Sequence, residues 1–177
     1  MMSILKCKDT GFQNTVINLI NNAKAKGDFI FKVENIIGAT KSLAIQSKSV
    51  LNVPGIYFLF CETDDLHSEH TFKINDGFFN LLYFGKAGQK KDGSVNKTQQ
   101  LYDRINNVIS DSKRGLKDVK RGIYWEMILK ELNKECFKII WIETNENCVT
   151  DENTIYESLR RNKIESPFLN KKLGRKK

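Results

Sequence analysis

Long apolar runs are missing from this chain. Nothing approaches the roughly 18 consecutive apolar residues that a bilayer-crossing helix needs. The longest such stretch, Ile56 to Cys61, suits one buried strand. Proline is nearly absent, with two in 177 residues, and no Gly/Ser-rich tract occurs. A long flexible linker between domains is therefore not expected. The four cysteines, Cys7, Cys61, Cys136 and Cys148, include no pair close enough for a Cys-x-x-Cys knuckle. Residues 1–8 hold no apolar leader core, so reduced thiols and a cytoplasmic location are expected. Gly85-Lys86 belongs to no Gly-x-x-x-x-Gly-Lys-Ser/Thr frame, which excludes a P-loop. The two histidines, His67 and His70, stand beside Asp64, Asp65 and Glu69. They lack the helix or strand context of a ligand set and read as an exposed polar loop.

What is present is an ordinary soluble composition with a basic bias. Hydrophobic residues make up 40% and charged residues 28%. Lys and Arg number 29 against 21 Asp and Glu, a net charge of +8. Such a balance favours polyanionic partners, nucleic acid before an anionic membrane surface. The densest cluster, Lys113, Arg114, Lys117, Lys120 and Arg121, is assigned to phosphate contacts. Lys171, Lys172, Arg175, Lys176 and Lys177 form a basic tail that adds non-specific backbone contacts.

Periodicity divides the chain into a mainly helical N-terminal arm, residues 1–51, and a domain over residues 52–177. In the arm, Asp9 or Thr10 caps a helix reaching about Lys26, with Phe12, Val16, Leu19, Ile20 and Ala23 on one face and Gly27 as its stop. A strand or mixed segment follows over 29–37, then a short helix over 41–50. The domain begins with a strand after Pro54, rich in β-forming residues. A polar insert at 62–78 follows, read as a hairpin loop or an extra strand around Phe72 and Ile74. The next elements are a strand over 79–84, a glycine-containing loop over 85–96, helices over 97–110 and 124–132, and a strand over 137–142. A last helix over 153–163, capped by Asp151, ends before Pro167. The expected fold class is α+β: a small antiparallel three-stranded sheet, open to extension, flanked by helices.

Two strands in this scheme carry tyrosine beside glycine, at Gly55-Ile56-Tyr57 and Tyr83-Phe84-Gly85. Adjacent antiparallel strands would set two phenols together, with glycine allowing close approach of backbone or ligand. Lys86 follows the second strand, Arg104 lies on the next helix, Glu157 on the last helix, and Asn170 after Pro167. Two phenols, two cations, a carboxylate and an amide suit phosphodiester hydrolysis. A single carboxylate with water and phosphate oxygens can hold Mg²⁺. A phenol near cations can serve as base. A fixed cation stabilises charge on the phosphate.

Tyr83-Phe84-Gly85-Lys86-Ala87-Gly88, together with Gly55-Ile56-Tyr57, resembles the signature strands of the GIY-YIG nuclease superfamily. Leu101-Tyr102-Asp103-Arg104-Ile105 is similar to the family helix that carries its arginine. Ile155-Tyr156-Glu157-Ser158-Leu159 is similar to the helix with the metal-binding glutamate, and Pro167-Phe168-Leu169-Asn170 to the closing segment. Arg121-Gly122-Ile123-Tyr124-Trp125 also looks like a run in small bacterial members. The resemblance implies a DNA endonuclease, of restriction or defence type, using one Mg²⁺ or Mn²⁺ per site on double-stranded DNA. It implies Tyr57 as base or water-binding group, Tyr83 as its support, and Lys86 on the phosphate. Arg104 would stabilise the transition state, Glu157 would hold the metal and Asn170 would orient its neighbours. A homodimer would bring two such sites to two strands. The chain departs from the pattern in placing 25 residues between Tyr57 and Tyr83, and Val108 where many members have His or Tyr; Tyr124 is the candidate substitute.

Each residue also has an ordinary reading. Tyrosines in apolar strands serve as core, Arg104 can pair with Asp103 or Asp111, and Glu157 with Arg160 or Arg161 at helical spacing. Asn170 suits a turn. A nucleic-acid-binding module with a degenerate site, a repair or mobile-element nuclease, and a protein-interaction domain stay open.

Overall fold

The computed structural model describes residues 2–32, 51–90, 92–105, 129–144 and 147–173. Its elements are β1 (Ile4–Lys6), α1 (Gly11–Asn21), β2 (Ala25–Lys32), β3 (Gly55–Glu62), β4 (Thr71–Ile74), β5 (Gly77–Ala87), β6 (Cys136–Glu143), α2 (Cys148–Arg161) and α3 (Phe168–Leu173). The strands form one curled sheet in the order β1-β4-β5-β3-β6-β2, every pairing antiparallel. This corrects the expected fold class. Among the described residues the sheet has six strands rather than three, the helices are few and short, and residues 2–32 are not mainly helical, holding two strands beside one helix; the helix expected over 41–50 and parts of those expected over 97–110 and 124–132 lie outside the described residues.

Both ends of that correction have physical causes. Helix α1 starts as expected, with the Thr10 hydroxyl accepting from the Gln13 amide at 3.2 Å. It stops at Asn21, not near Lys26, and the chain turns directly into β2. Gly27 is not a helix stop but a strand residue. It pairs with Trp141 of β6, and a Cβ there would lie 2.8 Å from the indole ring. The missing side chain makes room for the ring. An ion pair between Asp28 and the buried Lys138 also joins β2 to β6. In the 62–78 insert, the Phe72 and Ile74 alternation proves to be a real strand, β4, which hairpins onto β5 and takes β1 on its far edge.

The central strand explains the layers. Seven of the eight residues of β3 are buried, and it is hydrogen-bonded on both edges, to β5 and β6. Alternation sends Ile56, Phe58 and Phe60 to one face, where Phe12, Val16 and Ile20 of α1 and Ile155 and Leu159 of α2 cover them. Tyr57, Leu59 and Cys61 face the other way, into a cluster with Leu101, Ile105, Leu129 and Leu169. Helix α2 begins at Cys148 with Asn147 as its cap; Asp151, expected as the cap, sits in its first turn.

One buried polar side chain ties the N-terminus to the sheet. Gln13 is fully buried; its Oε1 accepts from the Cys7 and Lys8 amides, and its Nε2 donates to the Glu69 and Thr71 carbonyls. Gln13→Leu keeps the volume and leaves those backbone groups unpaired. It should lower unfolding free energy by roughly 3 kcal/mol in urea denaturation. An unchanged midpoint would show that Gln13 does not hold this corner.

Candidate active site

Register places the two signature tyrosines on one face. Tyr57 stands opposite Gly85 across the β3–β5 ladder. Tyr83, two residues before Gly85, has the same orientation by strand periodicity. A register shift between Leu59 and Phe60 makes Leu82 an extra residue in β5. The bulge lets both Leu82 and Tyr83 join the Tyr57 cluster. The rings of Tyr57 and Tyr83 lie 5.8 Å apart at 46°. Their hydroxyls converge over Gly85: a Cβ added there would meet the Tyr83 oxygen at 2.8 Å and the Tyr57 oxygen at 3.0 Å. Glycine is required here by the approach of two phenols, not by backbone conformation. Tyr57 is 2% exposed, while Tyr83 is half-buried at the edge of the cluster.

Residues 101–105 form a helical stretch over the same face, seated by Leu101 and Ile105. Arg104 rises from it half-buried, and its Nε is buried without a hydrogen-bond partner among the described residues. A buried, unsatisfied guanidinium N–H is an anion-seeking group. Asp103, the ion-pair partner weighed for Arg104, accepts instead from the Gln100 amide at 3.0 Å.

Asn170 closes the free edge of β5. Strand β4 pairs with β5 only as far as Asn80, so among the described residues no strand pairs with Phe84 on its outer side. Phe84 N–H donates to Asn170 Oδ1 at 3.0 Å, and Asn170 Nδ2 donates back to Phe84 O at 2.9 Å. The side-chain amide thus bonds the edge as a neighbouring strand would. The same Nδ2 donates to the Tyr156 hydroxyl at 3.2 Å. Tyr156 was not singled out by the sequence reading. Its ring packs on Phe84, centroids 4.8 Å apart. Burial raises its pKa from the ordinary tyrosine value, and the nearby Tyr83 and Glu152 push the same way, against the Asn170 hydrogen bond.

Other sequence-predicted residues lie elsewhere. Lys86 pairs with Ile56 and so faces away from Tyr57 and Tyr83; its Nζ donates to Gln89 O at 2.7 Å. Glu157 is an exposed residue of α2, its carboxylate 3.1 Å from Arg161. Lys113, Arg114, Lys117, Lys120, Arg121, Tyr124 and Val108 lie outside the described residues. His70 is structural: Nε2 is 2.9 Å from Glu165 O, and its ring lies edge-on to Phe12.

Other chemistries find less support. All four cysteines are free, and burial pushes the Cys61 thiol up to about 11, so it is not a thiolate nucleophile near neutrality. Among the described residues no three His, Cys, Asp or Glu side chains gather to hold a metal. Glu157, the carboxylate assigned to a metal, is carried by α2, which packs on the sheet face opposite Tyr57 and Tyr83. A cleft of about 620 Å³ opens between α1 and the first turns of α2, lined by Asn18, Asn147, Thr150 and Asp151 among others; it holds none of the sequence-predicted site residues. Among the described residues no helix is long and apolar enough to cross a membrane. Compared with known proteins, the chain matches no family model, no curated protein and no solved structure.

Two outcomes are expected from this geometry. Asn170→Leu strips the β5 edge of its partner and should cost about 2 kcal/mol, with faster hydrogen exchange at the Phe84 amide. Unaltered protection of that amide would rule out the bracket. Tyr156 carries a raised folded-state pKa. Its stabilising contribution is therefore complete below the unfolded value of 10.0 and is lost as pH rises through the folded value. Phenolate absorbance should show one late-titrating phenol that Tyr156→Phe removes; an identical titration curve would contradict this.

Proposed function

We propose that this chain is a metal-dependent endonuclease that hydrolyses phosphodiester bonds in DNA, with a site of the GIY-YIG type. The observation that carries the reading is the convergence of the Tyr57 and Tyr83 hydroxyls over Gly85. Two core tyrosines with purely structural roles have no need to meet over a glycine. The unsatisfied Arg104 Nε on the same face supports it, as does the +8 charge, which attracts a polyanion.

The chain's own groups divide the work as follows. Tyr57 binds the attacking water and takes its proton as general base. Tyr83 holds the water or the phosphate against Tyr57. Arg104 meets the charge that grows on the phosphate oxygens. Asn170 keeps β5, and so Gly85 and Tyr83, in place. Glu157 is the hard oxygen donor that suits Mg²⁺ or Mn²⁺, and the ion would supply Lewis-acid stabilisation of the phosphate and leaving oxygen. Lys86, on the opposite face, is assigned a phosphate contact away from the phenols. Double-stranded DNA, a restriction or defence setting in the cytoplasm, and a homodimer that cuts both strands complete the proposal.

A second reading, a DNA-binding module with a degenerate site, is favoured by one observation: the Glu157 carboxylate is engaged by Arg161. That pair is solvent-exposed on both sides and so is weak enough for a divalent ion to displace.

Plasmid DNA with Mg²⁺ or Mn²⁺ decides between them. The wild type should nick or linearise it. Glu157→Ala, Tyr57→Phe and Gly85→Ala should each lose on the order of 100-fold or more in rate. Gly85→Ala is the sharpest, since one methyl group displaces both hydroxyls. Wild-type binding without metal and with no cleavage of any DNA would favour the binding module, and equal cutting by Glu157→Ala would remove its assigned role.

A further inference from the structure

The cleft between α1 and α2 lies on the sheet face opposite Tyr57 and Tyr83, and the reaction just described makes no use of it. Its volume of about 620 Å³ falls within the roughly 300–1,000 Å³ of small-ligand sites. Leu19 and Ala23 of α1 and Ile142 of β6 supply an apolar strip. Asn18 and Asn22, four residues apart at the end of α1, present two amides beside that strip. Neither side chain makes a hydrogen bond among the described residues, so both keep their donors and acceptors for water or a ligand.

Charge narrows the ligand. The chain carries +8, yet among the described residues no lysine or arginine lines this cleft, whereas Glu143 and Asp151 do. Glu143 is already neutralised by Lys24, 2.8 Å away. Asp151 has no hydrogen bond or ion pair among the described residues. Burial lifts its pKa above the ordinary carboxylate value, with no cation or donor opposing the rise. A first-turn carboxylate is favoured by the helix dipole, but an exposed one would be favoured without that desolvation. An anion is disfavoured twice over. The cleft is negative, and the Val149 and Thr150 amides at the start of α2 are taken by Asn147 Oδ1 at 3.0 and 3.1 Å. Thr144, 7% exposed beyond the end of β6, also lines the cleft, and its hydroxyl has no partner among the described residues.

We propose that this cleft binds a small hydroxylated amine of the amino-sugar class, with its ammonium on Asp151, its hydroxyls on the Asn18 and Asn22 amides and the CH face of its ring on the Leu19–Ile142 strip. One unpaired carboxylate calls for one positive charge, which separates this ligand from a polyamine. Paired amides call for hydroxyl partners, which separates it from a simple alkylamine. The site stands apart from the nuclease proposal, since none of its residues serves the phenol pair.

The test titrates the full chain with glucosamine and follows it by NMR at about pH 6.5, below ordinary amine pKa values. The backbone amides in the first turn of α2 and the Asn18 and Asn22 side-chain amides should shift together. Saturation should give a Kd on the order of 1 mM, the scale for so small a ligand in an open cleft. Glucose has the hydroxyls without the charge, and spermidine has charge without hydroxyls. Each should bind roughly tenfold more weakly or worse. Asp151→Asn removes the charge, and Asn18→Leu, at an exposed helix position, fills the cleft. Each should weaken glucosamine roughly tenfold while melting near the wild-type temperature. The site is overturned by the absence of a saturable glucosamine shift, or by glucose or spermidine binding as tightly. Unchanged glucosamine affinity in folded Asp151→Asn or Asn18→Leu overturns it as well. None of these outcomes bears on DNA cleavage.

Discussion

Register between β3 and β5 is the constraint on which the rest depends. Tyr57 stands opposite Gly85, and that single pairing brings both phenol oxygens to one point. A slip of one residue would send Tyr57 to the α1–α2 face and bury Ile56 among the groups over Gly85. The register cannot slip easily because β3 is held on both edges and packed on both faces. Phe58 and Phe60 lie fully buried under α1 and α2, while Leu59 and Cys61 are locked into the opposite cluster. Two independent cores thus vote for the same alignment. The bulge at Leu82 then resets the phase of β5, so that its first half can serve the hairpin with β4 without moving Tyr83 off the Tyr57 face.

The free edge of β5 is the second structural problem, and the chain solves it from its far end. An unpaired strand edge presents N–H and C=O groups that need partners. Here one side-chain amide meets both groups of Phe84, and it comes from a helix of six residues. Leu169, beside it, is buried in the tyrosine-side cluster and pins that short helix down. Tyr156 and Phe84 dock α2 against the same place. Fold closure and site geometry therefore share residues, which separates Asn170 from a turn residue that only ends a chain.

Much of the centre of the fold was legible in the sequence, and the periphery was not. Continuous apolar runs at Ile56 to Cys61 and Phe137 to Ile142 read directly as buried strands. The edge strands carry weaker signals. Residues 25–32 mix Lys, Asp and Gly with Phe and Ile, because an edge strand needs only part of its surface buried. Gly27 resembled a helix stop because its true role, clearing Trp141, depends on a partner more than a hundred residues away. Strand β4 was visible as an alternation, but its neighbour β1 has only three residues and no pattern to detect. At the site, Tyr57 and Tyr83 were legible as a motif, and their convergence was not. The face of Lys86 was available and missed: it lies three residues from Tyr83, and a period of two sets them on opposite sides. Tyr156 gave no signal, since a tyrosine on an amphipathic helix reads as packing until its hydroxyl is seen to meet Asn170.

Placing phenols on strands, not on loops, has an energetic consequence. A long side chain on a mobile loop must lose rotamer freedom each time it engages a substrate. Tyr57 has already lost it on folding, walled in at 2% exposure between Trp141 and Gly85 positions of its neighbours. Stability of the sheet and readiness of the site are then one quantity viewed twice. Glu157 and Arg104 differ in this respect. Glu157 is on a solvent-facing side of α2, free to reorient at the cost of one exposed ion pair. Arg104 lies in between, its backbone seated by Leu101 and Ile105 and its Nε buried without a hydrogen-bond partner among the described residues. A buried N–H in that condition carries a desolvation cost, one that a phosphate oxygen would relieve under the nuclease proposal.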